Sequence, residues 1–217
     1  MLPYTPEVLY AFLEGYNAAL WPAQILAYAL ALAILWFAWR PRSWSGRATS
    51  ILLAAAWGAS GYVFHLQHFQ NLNIFSQYFG PVFLLQALLL FWTGGLRGRL
   101  NFAPAGSGDL GRAAALILVA LIAVPFLGAL DGFGWRPGAS VGLAPAPTLL
   151  FTLGLLLLQR GRVPLHLLPL PLIAAGIGAT EAWLLRLPWE GLPPLLTLLG
   201  LLAILVRNSR AEKTSSP

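Results

Sequence analysis

The residues of this chain whose types and spacing could do chemistry are few: two histidines three apart, one carboxylate inside an apolar stretch, and a set of amides and hydroxyls. On an α-helix His65 and His68 share a face, and a third ligand from Glu181, Asp131 or Glu14 would let them hold a divalent metal ion such as zinc. The plainer alternative is a pair of interfacial imidazoles, one bonded to a neighbouring helix and one in headgroup water. Glu181 follows the run Gly176-Ile177-Gly178-Ala179-Thr180 and is the one carboxylate placed clearly within an apolar stretch. An ionisable group there is costly and is by default a functional candidate, either a proton or cation site or a buried acid that fixes packing. Arg186 stands five residues on, off the Glu181 helix face, so a partner has to come from another helix, unless the carboxyl is protonated or faces water.

Gln24 and Gln86 fall inside apolar stretches, and Asn17, Tyr62, Thr148 and Thr152 are their companions. Amides and hydroxyls at such depth bond across helices for on the order of 1 kcal/mol, so each has a structural reading. Their common direction suggests more. Gln24, His65, His68, Gln86, Thr148 and Glu181 all fall in the outer half in the topology below, which predicts a polar cavity opening outward. Tyr16, Trp21, Tyr62, Phe69, Trp135 and Trp183 are its candidate aromatic wall. The same aromatics also suit interface anchors.

The elements that must position these residues follow from charge and hydropathy. With 58% apolar and 9% charged residues in 217, the chain is far from a soluble domain, whose charged share is roughly 25%. Seven apolar stretches run from about Leu20 to Trp39, Ala48 to Phe69, Phe79 to Leu96, Ala113 to Leu130, Pro145 to Leu158, Leu165 to Leu187 and Leu192 to Val206. Of the 13 Lys and Arg residues, all but Arg136 and Arg186 fall in alternate gaps or the tail. Cytoplasmic retention of Lys and Arg then predicts an all-α, polytopic bundle of seven transmembrane helices, N-terminus outside and C-terminus cytoplasmic. The fifth and seventh stretches are short for a ~30 Å core and call for local thinning or burial between longer helices. Pro125 removes a backbone donor and predicts a kink in the fourth.

Residues 1–17 read as an outer interfacial amphipathic helix, capped by Thr5, started by Pro6, with Val8, Leu9, Phe12, Leu13 and Tyr16 as its apolar stripe. Residues 18–207 form the seven-helix membrane domain and 208–217 a cytoplasmic tail. The Gly-rich gap from Asp131 to Ala144 reads equally as a surface loop or a lid. Arg-rich, Ala- and Leu-rich usage points to a bacterial inner membrane, and the +6 net charge to contact with anionic lipid rather than nucleic acid. The absence of Cys excludes disulfides and thiolate chemistry. A retinal Schiff base is excluded because Lys213, in the tail, is the only Lys. Two histidines one turn apart cannot ligate opposite faces of one haem. No phosphate-cradling loop or nucleophile elbow occurs.

The strings Tyr16-Asn17-Ala18-Ala19-Leu20-Trp21-Pro22-Ala23-Gln24-Ile25, Tyr62-Val63-Phe64-His65 and Pro145-Ala146-Pro147-Thr148-Leu149-Leu150-Phe151-Thr152-Leu153-Gly154 together resemble the bacterial membrane-protein family of unknown function 6064 over nearly the whole chain. The resemblance implies small multi-span proteins with no established activity. It strengthens Asn17, Gln24, His65 and Thr148 as site candidates, because the matching motifs contain them. Ala146 stands where the family often has Cys, which argues against a thiol-dependent role. Three functions fit: a permease or ligand-binding protein for a cation or small polar solute, built on Gln24, His65, His68, Gln86 and Glu181; a metal-dependent intramembrane enzyme with His65, His68 and Glu181 on zinc; and an accessory or scaffold subunit. A homo-oligomer is compatible with any of them.

Overall fold

Each apolar stretch becomes a helix in the computed structural model, which describes residues 2–104 and 106–213. Among the described residues, eight helices follow in order: α1 (Pro6–Ala19), α2 (Ala23–Trp39), α3 (Ser45–Asn71), α4 (Ser76–Leu96), α5 (Gly108–Leu130), α6 (Pro145–Leu157), α7 (Leu165–Leu185) and α8 (Trp189–Arg210). No strand accompanies them, only the isolated bridges Phe102 to Gln159 and Val141 to Ala144. Helices α3, α4, α5, α7 and α8 are each long and apolar enough to cross a membrane; α2, at 17 residues, qualifies only together with α1, to which it is bent by 84°. Five or six candidate spans are therefore present on length and composition, where the sequence suggested seven.

Two boundaries differ instructively. The last stretch is not short: a tight turn at Trp189–Gly191 feeds it, and helical winding runs from Leu192 to Lys213. Pro193 and Pro194 sit in its first turn, where missing N–H groups cost nothing. The expected tail at 208 is thus helical at its start, while residues 214–217 lie outside the described residues. Thr5 does occupy the position before α1, but its side chain caps no backbone N–H. It hydrogen-bonds Glu7 instead, which holds that exposed carboxyl below its usual range.

Several long helices change winding part-way. In α3 residues Ser60–His68 are π-helical, in α4 Phe91–Leu96, and in α5 Val119–Ala123. In α5 this winding and the following tight turn at Val124–Phe126 absorb Pro125 without interrupting the helix. The proline leaves the Leu121 carbonyl, four residues back, without its helical donor, and the Tyr28 hydroxyl on α2 supplies one at 3.0 Å. At the start of α7 the carbonyl of Leu167, just ahead of the α-helical winding that begins at Pro169, accepts Gln86 Nε2 from α4 at 3.1 Å.

Helix α6 lies at the centre, with Thr148 to Leu157 all buried, packed chiefly against α5 and α8. Close approach to α5 requires Gly154, where a Cβ would stand 2.6 Å from Ile117 Cγ1 and 3.0 Å from the Ala113 carbonyl. A line of bonds ties α6 to α3: Trp57 Nε1 donates to Thr152 Oγ1 at 2.9 Å, Thr152 donates to the Thr148 carbonyl at 2.8 Å, and Thr148 Oγ1 meets Ser60 Oγ at 3.3 Å.

The ends of the bundle differ in charge. One gathers the α2–α3, α4–α5 and α6–α7 connections with the end of α8. There Arg207 donates to the Leu156, Gln159 and Gly161 carbonyls and pairs with Asp109 at 3.3 Å. The opposite end holds Glu7, Glu14, Asp131, Glu181 and Glu190 with only Arg136 and Arg186. Eight of the nine tryptophans are exposed: Trp36, Trp39, Trp44 and Trp92 toward the Arg-rich end, Trp21, Trp135, Trp183 and Trp189 toward the acidic one.

Candidate functional site

A cavity of about 140 Å³ opens among α1, the π-wound part of α3, α4, the start of α6, α7 and the start of α8, at the acidic end. Its apolar walls include Leu13, Phe64, Phe83, Leu149 and Ala175, and three of its lining residues have polar side chains: His65, Glu181 and Glu190. The last two belong to α7 and to the turn opening α8, brought together because Arg186 adopts a left-handed conformation (φ 57°) and reverses the chain between them.

Both carboxyls are held by tyrosines of the N-terminal segment. Tyr4 donates its phenol proton to Glu181 Oε1 at 2.5 Å and accepts from Asn73 Nδ2 at 3.3 Å. The Tyr10 hydroxyl lies 3.0 Å from Glu190 Oε1 and 3.2 Å from Asp131 Oδ2. A phenol carries one proton, so Tyr10 either shares it between two carboxylates or receives a second from a protonated carboxyl. Burial, and after it the charge of the neighbouring glutamate, pushes both phenols far above the ordinary tyrosine range. Tyr4 and Tyr10 are buried at 7% and 3% exposure. Leu9 and Leu13 of α1 reach the cavity, so these bonds hold one of its walls in place.

His65 is 4% exposed, and its ring packs against Phe83 at 4.8 Å. Its Nδ1 lies 2.9 Å from Ser76 Oγ, and Ser76 Oγ lies 3.1 Å from the His65 carbonyl. A carbonyl only accepts, so the serine proton goes there and Nδ1–H donates to the serine. In the neutral ring the lone pair is then at Nε2, which is buried, without a hydrogen-bond partner, and at the cavity wall.

The His65, His68 and Glu181 metal set does not assemble: among the described residues no three His, Asp or Glu side chains come within reach of one ion. The cause is the winding of α3. Bonding from i to i+5 widens the turn, and residues three apart leave a common face. His68 turns away, its Nδ1 donating to the Val63 carbonyl at 2.8 Å and its ring edge-on to Tyr16 at 5.1 Å.

Of the residues expected to bind a ligand, Glu181 alone, beside His65, reaches the cavity. Asn17 Nδ2 donates to the carbonyls of Arg136 and Gly138, at 3.0 and 2.9 Å, and Gln24 Nε2 to the Asn17 carbonyl at 2.8 Å. Gln86 donates to the Leu167 carbonyl ahead of the α-helical part of α7, and Thr148 and Thr152 belong to the α3–α6 line. Tyr62 faces outward at 54% exposure, as do Trp21, Trp135 and Trp183, which takes all four out of the expected aromatic wall. These corrections share a physical reason: the amides and hydroxyls satisfy backbone groups that prolines and helix ends leave open. The loop from Asp131 to Ala144 is strapped to α1 through Asn17, the Tyr16 hydroxyl on the Leu143 carbonyl at 2.7 Å, and Arg136 on Glu14 at 3.1 Å.

Sequence reasoning passed over Tyr4, Tyr10 and Glu190. Their signal was the concentration of acids in the segments poor in Arg, with no cation close in sequence to neutralise Glu181 or Glu190 except the exposed Arg186. No curated protein and no solved structure matches the chain. The family model of DUF6064, a family of unknown function, matches residues 6–215, and the chain belongs to that family.

Proposed function

We propose that this is a seven-span protein of the bacterial inner membrane, N-terminus outside and C-terminus cytoplasmic, that binds a small solute in an outward-facing cavity as a permease or solute-binding protein. The Arg-rich end faces the cytoplasm in this reading, and the two sets of exposed tryptophans lie at the two interfaces, where indoles concentrate. Helix α6 is the remaining span, short because protein rather than lipid surrounds it. The observation that carries the functional reading is the cavity itself: about 140 Å³, apolar-walled, and lined by two glutamates and by a histidine whose Nε2 has no partner. Pockets of this make, apolar with a few convergent polar groups, are the usual form of small-molecule sites.

The test is a screen of small cationic, neutral and anionic solutes by thermal shift on the protein in lipid nanodiscs, repeated on Gly178→Leu. Gly178 lines the cavity, with Pro194 Cγ 3.5 Å from where its Cβ would stand, so a leucine there projects into the space. At least one solute should raise the melting temperature of the wild type and not of the variant. An empty screen, or hits insensitive to Gly178→Leu, refutes the reading.

A further inference from the structure

The polar side chains among the residues that line the cavity are two carboxyls and one imidazole. Glu181 and Glu190 each use Oε1 for a tyrosine, and among the described residues neither Oε2 has a partner. His65 Nε2, on the tautomer fixed by Ser76, offers a lone pair. No Lys, Arg, Asn, Gln, Ser, Thr or Trp lines the space.

The backbone reinforces the pattern. Two helix N-termini, of α6 and α8, border the cavity, and a helix N-terminus normally presents free N–H groups that attract anions. Here prolines occupy those turns: Pro145 and Pro147 in α6, Pro193 and Pro194 in α8, and Pro145, Pro193 and Pro194 themselves line the cavity. Proline has no N–H to give. The cavity therefore holds two carboxyls that a bound cation would keep ionised, and few donors.

We propose that the ligand is a protonated primary amine with a compact apolar body, its ammonium group donating to the Glu181 and Glu190 carboxyls. An ammonium carries three donors and no acceptor, which suits carboxyls with few donors around them. The volume, close to that of a cavity of about 150 Å³ known to take up benzene, limits the body to about one ring. Phe64, Phe79 and Phe83 line the space and receive that body. An anion finds few donors here, and a neutral alcohol has a single proton to give and no charge to pair with the carboxyls. This assignment rests on the cavity being a solute site.

The experiment is isothermal titration of the nanodisc-embedded protein near neutral pH with four probes of one body: benzylammonium, benzyl alcohol, benzoate and benzyltrimethylammonium, which keeps the charge but has no N–H. Benzylammonium should bind at least tenfold more tightly than each of the others, and Glu181→Gln and Glu190→Gln should each weaken it by roughly tenfold or more. Melting temperatures of the variants establish that they fold, and the wild-type probe series decides the matter without them. Equal or tighter binding of the alcohol, the carboxylate or the quaternary ion overturns the proposal. So does benzylammonium binding that survives both substitutions in folded variants. If none of the four binds while the broader screen finds a solute sensitive to Gly178→Leu, the ammonium assignment falls and the solute site stands. If that screen is empty as well, both fall.

Discussion

Replacing Tyr4 with phenylalanine removes one oxygen and leaves the ring, which packs edge-on against Phe69 at 6.0 Å, in place. Two bonds are lost. The one to Glu181 Oε1 is short, at 2.5 Å, and runs to a carboxyl; such bonds contribute about 1.5–3 kcal/mol, and the partial exposure of Glu181 sets the expectation at the lower half of that range. The other leaves the Nδ2 of Asn73, a residue 3% exposed, without its acceptor. At 3.3 Å that bond is long, and its loss costs about 1 kcal/mol. Together they predict a destabilisation of about 2.5–3.2 kcal/mol, or roughly 60- to 190-fold in the unfolding constant. Equilibrium unfolding in mixed micelles measures it, with hydrogen exchange on residues 6–19 to show whether α1 loosens first. Tyr78→Phe, at a position 66% exposed, is the control. A double-mutant cycle with Glu181→Gln isolates the direct term, which should be about 1 kcal/mol or more. A Tyr4→Phe effect within ~0.3 kcal/mol, or a coupling of zero, would show that the Tyr4 phenol neither helps to hold α1 nor fixes the carboxyl.

Two further predictions concern the phenols and the topology. Tyr4, Tyr10 and Tyr16 are all raised by burial, so they remain protonated in the folded state at a pH where the unfolded chain ionises them. Because a raised folded-state value favours the protonated form, their stabilisation is intact below about pH 10 and declines as pH rises above it. Tyrosinate absorbance shortly after a jump to about pH 11 should fall at least three tyrosines short of the denatured value; full ionisation of a still-folded protein refutes the burial argument. The chain has no Cys, so single cysteines report without background. In intact cells a membrane-impermeant maleimide should label Gly132→Cys and spare Ser43→Cys, and the reverse pattern inverts the proposed orientation.

The helices were legible because apolar length and charge spacing are properties of the chain alone. Even the short sixth helix was foreshadowed, since Pro145 to Leu158 is apolar but too brief to span unaided. The final helix read as short because Gly191, Pro193 and Pro194 look like breakers, whereas prolines in a first turn are permitted. At the site the sequence pointed to Glu181 and His65 and missed what surrounds them. Tyr4 and Glu181 are 177 positions apart, and nothing local announces their bond. The histidine pair failed on winding, since its spacing argument holds for an α-helix and residues 60–68 are not one. Gln86 does not line the cavity and donates instead to the Leu167 carbonyl, 81 positions away, a partner that no local spacing announces.

Helix α6 touches protein on nearly every side, and that changes what its sequence is selected for. A segment facing lipid can exchange one apolar residue for another with little consequence, because fluid chains refill the space. Positions 148–157 have no fluid neighbour: the space around each is a fixed mould formed by α3, α5 and α8. Variation there should therefore follow volume and shape rather than hydropathy, with glycine kept at 154 and threonine at 148 and 152 while leucines elsewhere on the bundle's exterior drift freely. Among homologues, a run of this length whose residue sizes are frozen would mark the innermost helix from an alignment alone.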